Sequence, residues 1–372
     1  MDTIPILDLK KQIAPIRRGL DLAIKQVVDN TDFILGKEVS EFEDSVTKYC
    51  KVKYALGVSN GTDAIRLALL ASGIKRRDEV ICPAFTYYAT AGAIASIGAI
   101  PVFADIGLDT YNISGSGVEE VIRSKKKKRI KAVVAVHLYG QCADMPSILK
   151  LAKRYNLKVI EDTAQAFGAA YKDKKAGTMG DCGTVSFFPG KNLGAFGDAG
   201  IVLTNNKTIA EKVKILRNQG NIRRYHHILL GFNNRLDTLQ AAVLKVKIKY
   251  LDSWNKRRQA NAAYFNQQLT DLDIHTPIVA KHNTHIYHQY VLRLNGPSSK
   301  LIEHLRNKGI DSRVYYPLPL HLQRCFKHLG YKKGDFPVSE KAAKCTLAIP
   351  VYPDLTKAQM DYIIFSIRQF LK

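Results

Sequence analysis

From Tyr54 to Thr204 the chain alternates short apolar runs with amphipathic stretches. Tyr54–Ser59, Glu79–Cys82, Pro101–Ala104, Ala132–Val136, Lys158–Glu161, Thr184–Phe187 and Gly200–Thr204 read as strands. Between them, Asp63–Ala71, Thr90–Ile97 and Met145–Tyr155 read as helices; in the first, Ile65, Leu67, Ala68 and Leu69 form the apolar side. Alternation of this kind predicts an α/β fold, a mostly parallel sheet covered on both faces. From Leu236 to about Phe265 the pattern predicts one long helix, with Leu236, Leu239, Val243, Leu244, Val246 and Ile248 on one face. Tyr287–Leu292, Lys300–Asn307 and Lys357–Leu371 then suggest a smaller α+β unit. The expected division is a large domain over residues 1–245 and a small C-terminal domain over 246–372. No internal repeat or low-complexity segment interrupts this order.

Composition narrows the class. The 372 residues are enough for two domains, and 46% hydrophobic content suits an ordinary core. No run of about 18 apolar residues occurs, so no membrane partner is expected. The start, Met1-Asp2-Thr3-Ile4-Pro5, lacks the basic then apolar pattern of a secretory leader. Cys50, Cys82, Cys142, Cys182, Cys325 and Cys345 are scattered, with no C-x-x-C pair. They read as free thiols in a reducing cytoplasm.

The net charge of +23 raises the question of a nucleic-acid partner. The strongest basic run, Ser124 to Arg129, lies between a predicted helix and a strand and reads as a solvated loop. No aromatic interleaving accompanies it, so no nucleic acid is expected. A basic surface also draws in an anionic, diphosphate-bearing substrate.

Candidate chemistry centres on Lys191, in Ser186-Phe187-Phe188-Pro189-Gly190-Lys191-Asn192-Leu193-Gly194. Upstream lies an acidic strand end, Val159-Ile160-Glu161-Asp162-Thr163-Ala164-Gln165. A lysine in a Gly/Pro-punctuated segment, after a strand that ends in Asp, suits a pyridoxal phosphate enzyme: a Schiff-base lysine and an acidic partner for the pyridinium nitrogen. Gly57-Val58-Ser59-Asn60-Gly61-Thr62-Asp63-Ala64 joins a strand to a helix and offers a phosphate cup. Gly61 permits close approach, Thr62 adds a hydroxyl, and the helix start presents unpaired N–H groups. Gly115-Ser116-Gly117 lacks the third glycine of a dinucleotide fingerprint, and no P-loop motif occurs. None of the histidines, His137, His226, His227, His282, His285 and His288 among them, forms a metal-binding pattern, so no metal is proposed.

Together these motifs resemble the DegT family of pyridoxal-phosphate-dependent nucleotide-sugar aminotransferases, nearly end to end. The resemblance runs from Phe33-Ile34-Leu35-Gly36 through Ser59 to Ala64, Pro83-Ala84-Phe85-Thr86-Tyr87 and Val136 to Gln141. It continues through Glu161 to Ala166, Ser186 to Gly194 and Gly197 to Gly200, then Gly231-Phe232-Asn233-Asn234-Arg235-Leu236, Tyr316-Pro317 and Leu320-His321. It implies the aspartate-aminotransferase-type fold (fold type I), with a seven-stranded sheet between helices, and pyridoxal 5′-phosphate as cofactor.

By the same resemblance Lys191 would bind the cofactor covalently and shuttle a proton, and Asp162 would meet the ring nitrogen. Such a pair at ~3 Å, with an effective dielectric of ~20, attracts by about 5 kcal/mol before desolvation costs. Gly61, Thr62 and Ser186 would hold the phosphate, Tyr87 would stack on the ring, and Gln165 would sit beside it. Asn233 would reach the phosphate from the second subunit of a homodimer with shared active sites. Phe188 and Tyr316 would face substrate. Arg235 has two readings, a structural salt bridge or a substrate contact, and His321 would meet the nucleotide diphosphate or be structural. Thr163, where the family commonly has Ala, should add a local hydrogen bond. Phe188, where other members carry Tyr or His, points to the 3-oxo-sugar branch.

Three readings follow. The first is an aminotransferase moving an amino group from glutamate to the C3 keto group of a dTDP-3-oxo-6-deoxyhexose, with a UDP-3-oxo-2-acetamido sugar acid or a 4-oxo sugar as alternatives. The second is a dehydratase of the same fold, which Lys191 argues against, since those enzymes carry His there. The third is a basic DNA-binding regulator without catalysis.

Overall fold

The computed structural model describes residues 3–124 and 129–371, so the lysines at 125–128 lie outside the described residues. Seven strands build the main sheet: β1 (Tyr54–Val58), β2 (Glu79–Pro83), β3 (Ile100–Ala104), β4 (Ile130–Val136), β5 (Lys158–Asp162), β6 (Cys182–Ser186) and β7 (Gly200–Thr204). Their order is β1-β7-β6-β5-β4-β2-β3. β2, β3, β4, β5 and β6 pair in parallel, and only β7 runs against its neighbours, β1 and β6.

The strands are apolar throughout because both faces are covered. On β4 and β5, Val134 and Ile160 join a core with Val80, Cys82 and the helix α1 (Gly61–Ala71). Their neighbours Val133, Ala135 and Val159 face the other way, onto Met145 and Ile148. A second sheet of β8 (Ile274–His275), β9 (Tyr290–Leu294) and β10 (Thr346–Ile349) is antiparallel. It packs with helices Ser299–Asn307 and Lys357–Leu371 around Leu292, Leu305, Leu347 and Ile363. Ile4 belongs to this second core and bridges to Ile310, so the chain's start is tied to the C-terminal unit.

Two sequence expectations need correction. The long helix from Leu236 is two helices, α2 (Thr238–Lys247) and α3 (Leu251–Gln268), joined by a 3-10 turn over Ile248–Tyr250. The pattern runs through because the turn keeps helical dihedrals, but the two pieces serve different cores. Ala241 and Leu244 pack under the main sheet, whereas Ala262 and Phe265 pack on the second. The strand expected over Tyr287–Leu292 begins only at Tyr290, because Tyr287 takes a left-handed φ of 48° that ends extended pairing.

Candidate active site

The site forms at the carboxyl ends of the strands, where ligands gather in open α/β sheets. Sheet register sets Val58 opposite Gly200 and Gly200 opposite Ser186, so three chain segments converge. Asn60 caps α1: its side chain accepts from the Asp63 amide at 2.8 Å and its carbonyl from the Ala64 amide at 3.0 Å. That leaves the Gly61 and Thr62 amides unclaimed by the cap, at the positive end of an eleven-residue helix. Gly61 is packed against β6; a Cβ there would stand 2.5 Å from Ser186 Cβ. The cup therefore requires glycine, and a phosphate fits its donors.

Asp63, buried below the cup, fixes it. It accepts from Ser59 Oγ at 2.5 Å and Asn60 Nδ2 at 2.9 Å, and also from Arg66 and Asn234. Asn234 stays buried by this contact, while its neighbour Asn233 is exposed.

Asp162, buried at the end of β5, accepts from Thr90 Oγ1 at 2.8 Å and from the Ala164 amide at 3.2 Å. Gln165 is locked from both ends: Oε1 takes the Tyr139 amide at 2.9 Å and Nε2 donates to Tyr316 Oη at 2.7 Å. The Tyr316 ring lies 5.9 Å from that of Tyr87, which is 59% exposed. Lys191 is half-buried in a turn closed by its amide and the Phe188 carbonyl, 2.8 Å. Desolvation lowers its ammonium to about 8 against the opposing pull of Asp162, so a free amine is accessible near neutral pH. A reactive amine, an anchored carboxylate, a glycine-lined cup and exposed aromatic rings match the donor set that pyridoxal 5′-phosphate needs.

The sequence matches the DegT/DnrJ/EryC1/StrS aminotransferase family over residues 16–368. The chain belongs to this family. A "pleiotropic regulatory protein" of Geobacillus stearothermophilus is 44% identical over 99% of both chains. A UDP-2-acetamido-2-deoxy-3-oxo-D-glucuronate aminotransferase of Pseudomonas aeruginosa is 39% identical, over 97% of this chain and 98% of that one. A dTDP-3-amino-3,6-dideoxy-alpha-D-galactopyranose transaminase of Aneurinibacillus thermoaerophilus is also 39% identical, over 99% of both. Among solved structures, S. venezuelae DesV in complex with a ketimine intermediate superposes with a TM-score of 0.96, at 38% identity over 100% of this chain and 99% of that one. The protein is a sugar aminotransferase of the pyridoxal phosphate type, with the fold expected from its sequence.

Within this aminotransferase three sequence expectations change. Thr163 Oγ1 is buried without a hydrogen-bond partner, pressed toward Gly177, so it fills space and adds no bond. Arg235 meets no carboxylate among the described residues and donates to Asn218 Oδ1 at 3.4 Å, so the salt-bridge reading finds no support within this chain. His321 is enclosed, bonded to Glu340 at 3.1 Å and edge-on to Phe336 at 4.8 Å, which leaves no exposed face for a diphosphate. His137 is structural: Nε2 meets Glu161 at 2.8 Å and Nδ1 accepts the Ala143 amide at 3.0 Å.

Sequence reasoning missed Thr90, Asp63 and Lys247. Thr90 had a visible signal, a hydroxyl inside the otherwise apolar Ala89-Thr90-Ala91-Gly92-Ala93-Ile94. Lys247, buried on α2, donates to the Gly194 carbonyl and so anchors the far end of the Lys191 loop. Among the described residues no cluster of His, Cys, Asp and Glu could hold a metal, and no helix is long and apolar enough to cross a membrane.

Proposed function

We propose that the protein transfers an amino group from glutamate to the C3 keto group of a dTDP-3-oxo-6-deoxyhexose, giving a 3-amino-3,6-dideoxy sugar nucleotide. When bound, pyridoxal phosphate supplies the electron sink that stabilises negative charge at the reacting carbon. Lys191 Nζ would hold the cofactor and would carry the proton between reacting carbons; its lowered proton affinity suits both tasks. Asp162, braced by Thr90 and Ala164, keeps the ring nitrogen protonated. Gly61, Thr62 and Ser186 hold the phosphate, joined by Asn233 from a second copy of the chain. Tyr87 would pack against the ring, and Gln165, tied to Tyr316, would lie beside it.

The observation that carries the substrate reading is Phe188. It stands 57% exposed in the turn that presents Lys191, where it offers an apolar wall. A C6 methyl suits that wall better than a carboxylate does. A second reading, a UDP-linked 3-oxo-2-acetamido sugar acid, is favoured by the equally similar Pseudomonas enzyme. The aminated enzyme is presented with dTDP-3-oxo-6-deoxyhexose, the UDP sugar acid and a 4-oxo sugar nucleotide, and products are read by mass spectrometry and NMR. Amination at C3 of the dTDP sugar is expected. Amination at C4, or a clear preference for the UDP sugar acid, overturns it.

A further inference from the structure

Lys191 projects from a loop that residues outside the main sheet hold in place. Asn192, only 4% exposed, donates through Nδ2 to Asn255 Oδ1 at 2.8 Å and to the Ile286 carbonyl at 3.3 Å. Asn255 lies on α3 and Ile286 precedes β9, so both belong to the C-terminal part of the chain. With its amide hydrogens engaged, Asn192 can use Oδ1 only as an acceptor. His288 Nδ1 stands 3.0 Å from that oxygen and therefore carries the hydrogen.

Burial and the positive charges of Lys191 and Arg258 hold the His288 imidazolium well below its ordinary value. The neutral ring is thus favoured, with one N–H, and that N–H points at Asn192. The other hydrogen bonds that anchor the loop act on its backbone, the Lys191 amide on Phe188 O and Lys247 Nζ on Gly194 O among them. Asn192 is the side chain that ties the loop to the C-terminal part, and His288 completes its set of partners.

We propose that His288 is a positioning residue for Lys191: its Nδ1–H fixes Asn192, and with it the backbone from which Lys191 reaches the site. The inference rests on the reading that Lys191 carries the cofactor. It predicts a distinction between two substitutions of similar polarity. Asparagine places an amide N–H where Nδ1 was, whereas glutamine places it where Nε2 was.

The test uses the full-length protein stripped of cofactor. Its reaction with pyridoxal at pH 7 is followed by imine absorbance, and the bond is trapped with borohydride for peptide mapping. His288→Ala and His288→Gln should form the imine about tenfold more slowly, or slower still, as a misplaced amine would. His288→Asn should return most of the rate. Label on a lysine other than Lys191 in the unsubstituted protein overturns the reading on which the inference rests. Label on Lys191, with all three variants at the unsubstituted rate, overturns the inference alone. Equal rates for His288→Asn and His288→Gln also overturn it, because then the Nδ1 position has no special part.

Discussion

Glu161 and Asp162 are neighbours on β5, and their carboxylates serve opposite faces of the sheet. Side chains alternate along a strand, so consecutive acids cannot share a site. Asp162 turns to Thr90 and the Ala164 amide, at the carboxyl end of the strand. Glu161, fully buried, accepts from His137 Nε2 at 2.8 Å and from the amides of Gly177, Met179 and Gly180 at 2.9, 2.6 and 2.6 Å.

Substitution should therefore separate the two acids. Asp162→Ala is expected to fold normally and bind pyridoxal phosphate poorly, with turnover close to nil. Glu161→Ala strands three amides and an imidazole at ~1–3 kcal/mol for each unsatisfied group, so a loss of about 4 kcal/mol or more is expected. Urea unfolding and a transamination assay on both variants check this. An Asp162→Ala protein with normal turnover, beside a stable Glu161→Ala protein without it, would reverse the assignments.

The cup depends on Gly61 for a steric reason. Gly61→Ala drives a Cβ to within 2.5 Å of Ser186 Cβ, so either α1 or the end of β6 must shift. Cofactor affinity should fall by about tenfold or more, the equivalent of ~1.4 kcal/mol or beyond. Adding Ser186→Gly removes the clashing atom, and part of the loss should return despite the missing hydroxyl. Equilibrium dialysis of pyridoxal phosphate against the single and double variants measures both steps. Additive losses would show that the two residues do not press on each other.

How much of this was legible beforehand follows from the reach of each interaction. Strand and helix order from Tyr54 to Thr204 was readable because each element buries a continuous or one-sided apolar run. Lys191, Asp162 and Gly61 stood out because the residues that mark each of them lie beside it in the sequence. Thr90 escaped because its partner Asp162 is 72 residues away. The Asn192–His288 contact spans 96 residues and crosses into the C-terminal unit, so no local pattern announces it. His321 sits in a matching motif, yet Glu340 and Phe336 from a later helix start enclose it. The break over Ile248–Tyr250 was hidden because a 3-10 turn barely disturbs helical periodicity.

Burial of two lysines gives a stability signature with a definite sign. Lys191 and Lys247 are both lowered to about 8 by desolvation. Above that value the folded apoprotein has released protons that the unfolded chain still binds, so stability rises with pH. Buried thiols oppose this from about pH 9, since Cys50 and Cys182 are pushed up to about 12 and stay protonated when folded. The gain should accordingly be visible between about pH 8 and 9 and fade above. Thermal melts of apoprotein should show it, with Lys191→Met removing part and the Lys191→Met/Lys247→Met pair removing most. A melting temperature flat or falling over that interval in unsubstituted protein would contradict the lowered values.

The final prediction concerns Asn233. Asn234 beside it is buried and bonded to Asp63, beneath the turn at Gly61, while Asn233 itself is exposed. The segment that precedes it exposes large apolar side chains, Leu230 at 96% and Tyr225 at 78%, together with Arg223, Arg224, His226 and His227. A segment with exposed large apolar side chains next to a polar residue suits a surface covered by another molecule. The proposed homodimer accounts for both, with Asn233 completing the phosphate site of the second subunit. Lys191→Ala and Asn233→Ala proteins are each expected to be inactive or nearly so. Unfolding and refolding them together should produce mixed dimers in which one site has both intact residues, with up to about half the activity per dimer regained in that fraction. Size-exclusion chromatography with light scattering should show a dimer before and after mixing. Absence of regained activity in verified mixed dimers would place Lys191 and Asn233 in the same chain's site, and an active monomer would remove the need for a partner altogether.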